Sequence, residues 1–360
     1  MLFMFLSSFK KINMENTIDK RSDDSGTQDK PVSVLILCKN NTEKIEESIR
    51  RLGFIPETFA IEPADEENMF TKPVIAKAVK YAKEHEYHLV FTVDPDSNRF
   101  TVAVRIEPEG KFRILNVHQL AVLVTDLLIK SFGENTGVIL KSFRITEMLN
   151  KIASKNSIKC IDYHQGQLSE AIINLEKENK KVLLMVDENL EFNTYEEDSL
   201  YKIISLLVER EAMLRRSNKT LFDDLIRLFV ENGFYKEKVL AINLQQKTQS
   251  KHYNKILDLM RKGAPDTLLS GEVKSVTDYK KGTSKNFLSG KVTKISSPPL
   301  NAVNVILSDG SSIGMELGDE KMTYHISVRS KIHSKDQFEE VNKSSKKRVL
   351  KLIESLNRLS

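Results

Sequence analysis

The sequence predicts an α/β fold, with two α/β units of mixed sheet at residues 31–130 and 131–240 and a smaller α+β unit at 241–360. Three observations carry this. From Val32 onward, apolar strand-like runs alternate with amphipathic helical stripes, the rhythm of an open, largely parallel sheet flanked by helices. The same rhythm then repeats through the second hundred residues. The last third turns strand-rich, with basic helical segments between. A composition of 40% hydrophobic and 29% charged residues is that of a globular protein with ordinary cores.

Each element has a local cause. VSVLILC is a continuous apolar run of strand type, and Thr42 is placed to cap a helix whose stripe is Ile45, Ile49 and Leu52. Gly53 closes that helix. The strand ETFAI, a helix over Val74–His85 and the strand HLVFTV complete the first alternation. In the second unit GVILKS, IKCIDY and KVLLMVDE read as strands, with helices over Ile145–Ala153 and Leu168–Leu175. Two amphipathic helices follow, Leu200–Leu214 and Leu221–Val230. VLAINL, VNVILSD, SSIGMEL and YHISVRS are the strands of the last unit. Residues 271–300 read as a loop-rich connector in which Pro298 and Pro299 break any helix.

Composition and charge exclude several classes. Two cysteines, Cys38 and Cys160, cannot build a disulfide framework, and their apolar settings predict buried structural thiols in a reducing, cytoplasmic compartment. Net charge is +5, and residues 321–360 hold ten Lys/Arg against four Asp/Glu. The run Lys346-Lys347-Arg348 falls on a helical pattern and reads as a solvated face. Without Trp, and with few aromatics among the basic residues, no nucleic-acid platform is indicated. The opening MLFMFL is too short to span a membrane and lacks a signal peptide's flanks, so residues 1–30 are expected to be a disordered leader. Seven histidines show no metal-ligand spacing, and His85 and His88 are expected in solvent. Neither a Gly-rich phosphate cradle nor a nucleophile elbow occurs.

The segment VFTVDPDSNRFTVAVRI, residues 90–106, is the most informative. A strand delivers Asp94, Asp96 and Asn98 at alternate positions into a tight turn, and a second strand leaves at once. Three oxygen-bearing side chains so spaced can converge on a hard divalent cation such as Mg²⁺. An EF-hand loop is excluded, because its sixth position would be Arg99 and its twelfth Arg105. An acidic surface hairpin is the plain alternative.

The segment resembles the metal loop D-x-D-x-D-R of the α-D-phosphohexomutases, the phosphoglucomutase/phosphomannomutase family. Asp94, Asp96 and Arg99 match, and Asn98 replaces the third carboxylate. Residues 50–99 and 110–129 are similar in order and spacing to that family's second domain, 210–242 to the helix pair after its sugar-binding loop, and 252–282 to the opening of its fourth domain. The resemblance covers roughly 32–355. It implies a phosphohexomutase (an isomerase of carbohydrate metabolism), Mg²⁺ as cofactor and a hexose phosphate as ligand.

The same resemblance implies losses. The family's phosphoserine loop, similar to T-A-S-H-N-P, has no counterpart in the sequence, so a missing first domain is expected and no catalytic nucleophile can be assigned. The sugar loop G-E-E-S-G is matched by residues 185–199, where Glu188 aligns with one carboxylate while Asn189 and Leu190 replace the second Glu and the Ser. Around HQGQLSEA, Gly166 remains and the family's Lys does not. The phosphate loop R-P-S-G-T-E-P-K is matched by 309–328, which keeps Gly318 and Glu320 and offers Lys321, with Met315 and Met322 at the gripping positions and Glu316 and Asp319 adding negative charge. Phosphoryl transfer rests on positioning and charge stabilisation, and such groups fail together. The expectation is a degenerate family member without independent mutase activity, binding Mg²⁺ or sugar phosphate weakly. Completion by a separate phosphoserine-domain chain, and a purely structural role with no ligand, stay open beside it.

Overall fold

A computed structural model describes residues 31–358 except 40–41, 62–68, 134–136, 164–167, 197, 245–246, 264–270 and 296–299. The expected leader, Gly166 and the pair Pro298-Pro299 lie outside the described residues.

The first sheet follows from the alternation. Strands β1 (Ser33–Cys38), β2 (Ile55–Phe59) and β3 (Leu89–Asp94) are parallel, while β4 (Arg99–Ile106) and β5 (Lys111–Ile114) return antiparallel, giving the order β2-β1-β3-β4-β5. Helices α1 (Thr42–Arg51) and α2 (Lys72–Glu84) cross between strands, and α2 covers one face through Val74, Ala78 and Ala82. Helix α3 (Val117–Phe132) is buried nearly all round through its middle, where Leu120–Val124 and Leu127–Ile129 are apolar. A reciprocal capping box starts it: Gln119 N–H donates to Asn116 Oδ1, and Asn116 N–H donates to Gln119 Oε1.

The second sheet has the order β7-β6-β8-β9, built from β6 (Val138–Ser142), β7 (Lys159–Tyr163), β8 (Val182–Val186) and the short antiparallel β9 (Phe192–Asn193). Its helices are α4 (Met148–Lys155), α5 (Leu168–Lys177), α6 (Ser199–Arg215) and α7 (Leu221–Asn232). One core joins the facing sides of these two sheets, running from Ile36, Phe91 and Val102 through Leu123 and Leu128 to Ile139, Leu184, Leu207 and Leu225. Helix α3 lies at its centre, so the expected division at residue 130 cuts a shared core.

The third sheet is antiparallel and has seven strands in the order β10-β16-β15-β14-β11-β12-β13. They are β10 (Phe234–Asn243), β11 (Val273–Asp278), β12 (Thr283–Asn286), β13 (Val292–Lys294), β14 (Ala302–Leu307), β15 (Ser312–Leu317) and β16 (Lys321–Ser330). Helices α8 (Lys247–Arg261) and α9 (Phe338–Asn357) cover its apolar face. Two expectations change. The stretch 271–300 contributes three strands, because its Gly, Ser and Lys positions are the turns of a meander: Asp278 accepts from Lys280 N–H, and Asn286 from Leu288 and Ser289 N–H. The sheet also begins at Phe234, inside the range given to the second unit, so 240 splits β10.

Strand alternation gives the third sheet two characters. On β16, Met322, Tyr324, Ile326 and Val328 enter the core, while Thr323, His325 and Ser327 point to the opposite face. That polar face is buried against the turn after β6.

Candidate functional site

In an open α/β sheet the carboxyl ends of parallel strands are where ligand-facing residues gather. The residues of interest lie there, beyond the ends of β3, β6, β7 and β8.

Asp94 is the last residue of β3 and stands opposite Arg99, the first of β4. Pro95–Ser97 form one 3-10 turn, and Asn98 takes a left-handed conformation with φ of 48°, which Asn tolerates better than most residues. Asp96 is exposed and Asp94 half-buried. Asn98 is already engaged: its Nδ2 donates to Asn193 Oδ1 at 2.5 Å. Arg99 Nε donates to the Asn189 carbonyl at 2.9 Å, and its guanidinium lies 4.5 Å over the Phe70 ring. Backbone bonds continue the contact, from Phe100 N to Leu190 O and from Phe192 N to Asn98 O, and the Phe100 and Phe192 rings pack 4.8 Å apart beneath. The Asp94–Asn98 turn and the loop over 189–193 are thus zipped together. Two carboxylates and a carboxamide oxygen suit a hard cation, with one charge fewer than three carboxylates would give. Among the described residues no three His, Cys, Asp or Glu side chains are grouped to hold a metal ion.

The loop matched to the family's sugar loop leaves β8 at Asp187. Asp187 Oδ1 accepts from Asn189 N and Glu191 N at 2.8 and 3.1 Å, and its Oδ2 accepts from Asn189 Nδ2 at 2.9 Å. Burial raises the Asp187 carboxyl against the lowering pull of these bonds, and it raises Glu191 as well, with Asp187 and Asp94 adding repulsion. Leu190 is held at φ 71°, a left-handed value that a branched side chain seldom adopts.

Glu188 is not free. Arg144, two residues beyond β6, donates through Nη1 to Glu188 Oε1 and through Nη2 to Glu316 Oε2, each at 2.7 Å. Burial acts to lower Arg144, but the bonds and charges of Glu316 and Glu188 prevail and hold it above its ordinary value. One guanidinium therefore ties the loop after β8 to β15. A second tie lies beside it: fully buried Lys141 meets Asp162 at 2.7 Å, Tyr279 donates its hydroxyl to Asp162, and Asn304 donates to Glu147. Lys141, Asp162 and Glu147 belong to the middle unit, Tyr279 and Asn304 to the third sheet.

The expected phosphate loop is a tight hairpin. Gly318, Asp319 and Glu320 form the exposed turn between β15 and β16, with Gly318 N–H on the Lys321 carbonyl and Leu244 N–H on that of Glu320. Met315 and Met322 are fully buried among Tyr324 and Leu352, so they are core residues of strands and not members of a ligand loop. Their apolar side chains follow the alternation of β15 and β16, which decides the matter. Lys321 is exposed, at the first position of β16.

Other expectations can be placed. His88 is not a solvent residue, since its Nδ1 accepts from Ser33 N–H at 2.9 Å. Exposed His85 stacks on Tyr81. Arg348 leaves the solvated basic face to pair with Asp309 at 2.7 Å and to donate to the Arg329 carbonyl. Cys38 is buried; Cys160 is half-buried, with its thiol pushed up to about 12 by burial. Sequence reasoning missed Arg144, Asp187 and Asn193. The one available signal was position, since Asp187 follows directly on β8 and Arg144 lies two residues beyond β6, at strand ends of a parallel sheet.

No protein-family profile matches the chain. Among curated proteins it is 22% identical over 293 residues to the phosphoglucomutase of Staphylococcus saprophyticus, covering 78% of this chain and 52% of that protein. To the phosphoglucomutase of Staphylococcus aureus USA300 it is 20% identical over 260 residues, 70% of this chain and 47% of that one. Among solved structures, the phosphoglucomutase pp63/parafusin of Paramecium superposes with a TM-score of 0.54 at 16% identity, over 81% of this chain and 50% of its own.

In sequence and in fold, this chain is similar to phosphoglucomutases.

A Thermus thermophilus protein described as a phosphomannomutase agrees, with a TM-score of 0.52 at 13% identity over 92% of this chain and 61% of that one. The chain spans about half the length of the curated phosphoglucomutases it matches.

Proposed function

We propose that this chain is a degenerate phosphohexomutase-like protein of carbohydrate metabolism, without independent mutase activity and with weak residual affinity for Mg²⁺ and hexose phosphate. The observation that carries this reading is the Arg144 fork. The one carboxylate that survives in the sugar loop, Glu188, is bonded to Arg144, whose other nitrogen holds Glu316. A sugar hydroxyl would have to displace a guanidinium, exchanging a pair of opposite charges for a bond charged on the carboxylate side alone. At the segment matched to the phosphate loop, the exposed hairpin offers an anion Lys321 but also the carboxylates of Asp319 and Glu320. Nothing similar to T-A-S-H-N-P occurs within the 360 residues.

If Mg²⁺ binds, Asp94 and Asp96 supply the charge and Asn98 a neutral oxygen; the cation would supply charge stabilisation for a phosphoryl group. The residues themselves hold the turn: Arg99 and Asn98 fix it to the sugar loop and leave Asp96 in solvent. We place the protein in the cytoplasm, on a count of two cysteines, too few for a disulfide framework. Among the described residues no helix is long and apolar enough to cross a membrane.

A second reading, an active phosphohexomutase completed by a separate chain bearing the phosphoserine, is favoured by the retained Asp94–Asp96 turn. Calorimetry separates the readings. Titrating the purified chain with Mg²⁺ and with glucose 1-phosphate should give weak binding, with the Mg²⁺ heat lost in Asp96→Ala. Tight binding of glucose 1-phosphate would contradict the degenerate reading. No heat from either ligand would leave a structural protein.

A further inference from the structure

The face of the third sheet that meets the middle unit is polar and yet closed to solvent. On β16, Thr323, His325 and Ser327 are 4%, 8% and 7% exposed; Asn304 on β14 and Ser312 on β15 are each 5% exposed. Asn304 is paired with Glu147, but three neighbours have no such partner. Both ring nitrogens of His325, the Oγ of Ser327 and the Nδ1 of His118 are buried without a hydrogen-bond partner among the described residues. All three side chains line one cavity of about 20 Å³ between α3, the turn after β6 and the third sheet. The sheet's register explains the space. His325 stands opposite Gly314, where an added Cβ would come 3.3 Å from the His325 Cβ and 3.5 Å from the Phe143 ring.

Four orphaned polar atoms on one small cavity are rare, because each carries its desolvation cost with nothing to offset it. We infer that this cavity is a hydration site, holding ordered water that bridges His118, His325 and Ser327. The size fits, since a polar cavity needs roughly 10–15 Å³ in this measure to admit one water. A sugar or a phosphate does not fit. The charge fits as well: Arg144 and Lys238 on the wall are balanced by Glu147 and Glu237, so no ion of either sign is drawn in. Chemically, a neutral imidazole offers one donor and one acceptor and a hydroxyl offers both, and water answers all of them. The water is thus the filler that lets a polar sheet face be buried, and it is independent of whether the Arg144 fork silences the sugar loop.

A crystal structure of the full chain at atomic resolution, with thermal unfolding of the Ser327→Ala chain, tests this. The expected result is water density within hydrogen-bond distance of at least two of the three side chains, and a lowered Tm in Ser327→Ala because a bridged hydroxyl is lost. A dry cavity would make that hydroxyl an uncompensated burden, so its removal would raise Tm. Empty density, a metal's anomalous signal at the site, or a raised Tm overturns the inference.

Discussion

Arg144 holds two carboxylates from different sheets with one planar fork, and its side chain is only 17% exposed. Removing it leaves Glu188 and Glu316 half-buried with no cation between them. Arg144→Met is therefore expected to cost about 3 kcal/mol in urea unfolding, the low end for breaking a buried pair. The same change in a Glu188→Gln/Glu316→Gln background should cost much less, because the pairs are already gone. His325 makes a second prediction. Burial, with the charges of Arg144 and His118 beside it, lowers its pKa to about 3 from an unfolded value of 6.5. The folded state therefore refuses a proton that the unfolded chain takes, and stability falls as pH drops from 6.5 toward 3. Between pH 7 and 5 the loss is about 2 kcal/mol, absent in His325→Leu. Glu211, buried and raised to about 7, works in the opposite direction, losing stability as pH rises from 4.5 through 7. The wild-type-minus-variant difference isolates the histidine. Asp94, Asp96 and Asn98 were visible in the sequence because three alternate oxygens in one turn form a local pattern. Arg144 was not, because its partners lie 44 and 172 residues away.

Among the elements, α3 bears the most structural weight, packing between the first two sheets. Its capping box satisfies two backbone donors at a start that faces the seam. Asn116→Ala should cost about 1 kcal/mol by chemical denaturation, with no change in far-UV helix content at low denaturant. The strands of the α/β units were legible because period and length are written into continuous apolar runs. The meander β11–β13 was not. Only Val276 and Asp278 of β11 are buried, β12 and β13 bury nothing, and apolar residues are few among the turn residues. Met315 and Met322 show the converse error: matching them to a ligand loop overlooked the period-2 pattern Ile313, Met315, Leu317 and Met322, Tyr324, Ile326, which places them in a core.

At the scale of the molecule, three sheets are joined by two different means. The first two share an apolar core around α3, and the third adds its polar face through Arg144, Lys141–Asp162–Tyr279 and Glu147–Asn304. The order of these units was readable from the rhythm of the sequence; the way they join was not, since a shared core and a polar seam are properties of pairs of elements. The likeness in fold to phosphoglucomutases and the self-engaged loops together support the proposal that the chain has no independent mutase activity. The measurement that tests this most directly is mutase turnover by the purified chain, with Mg²⁺, glucose 1-phosphate and glucose 1,6-bisphosphate present. The account predicts no glucose 6-phosphate above the uncatalysed background. Turnover that is abolished by Asp96→Ala would contradict it.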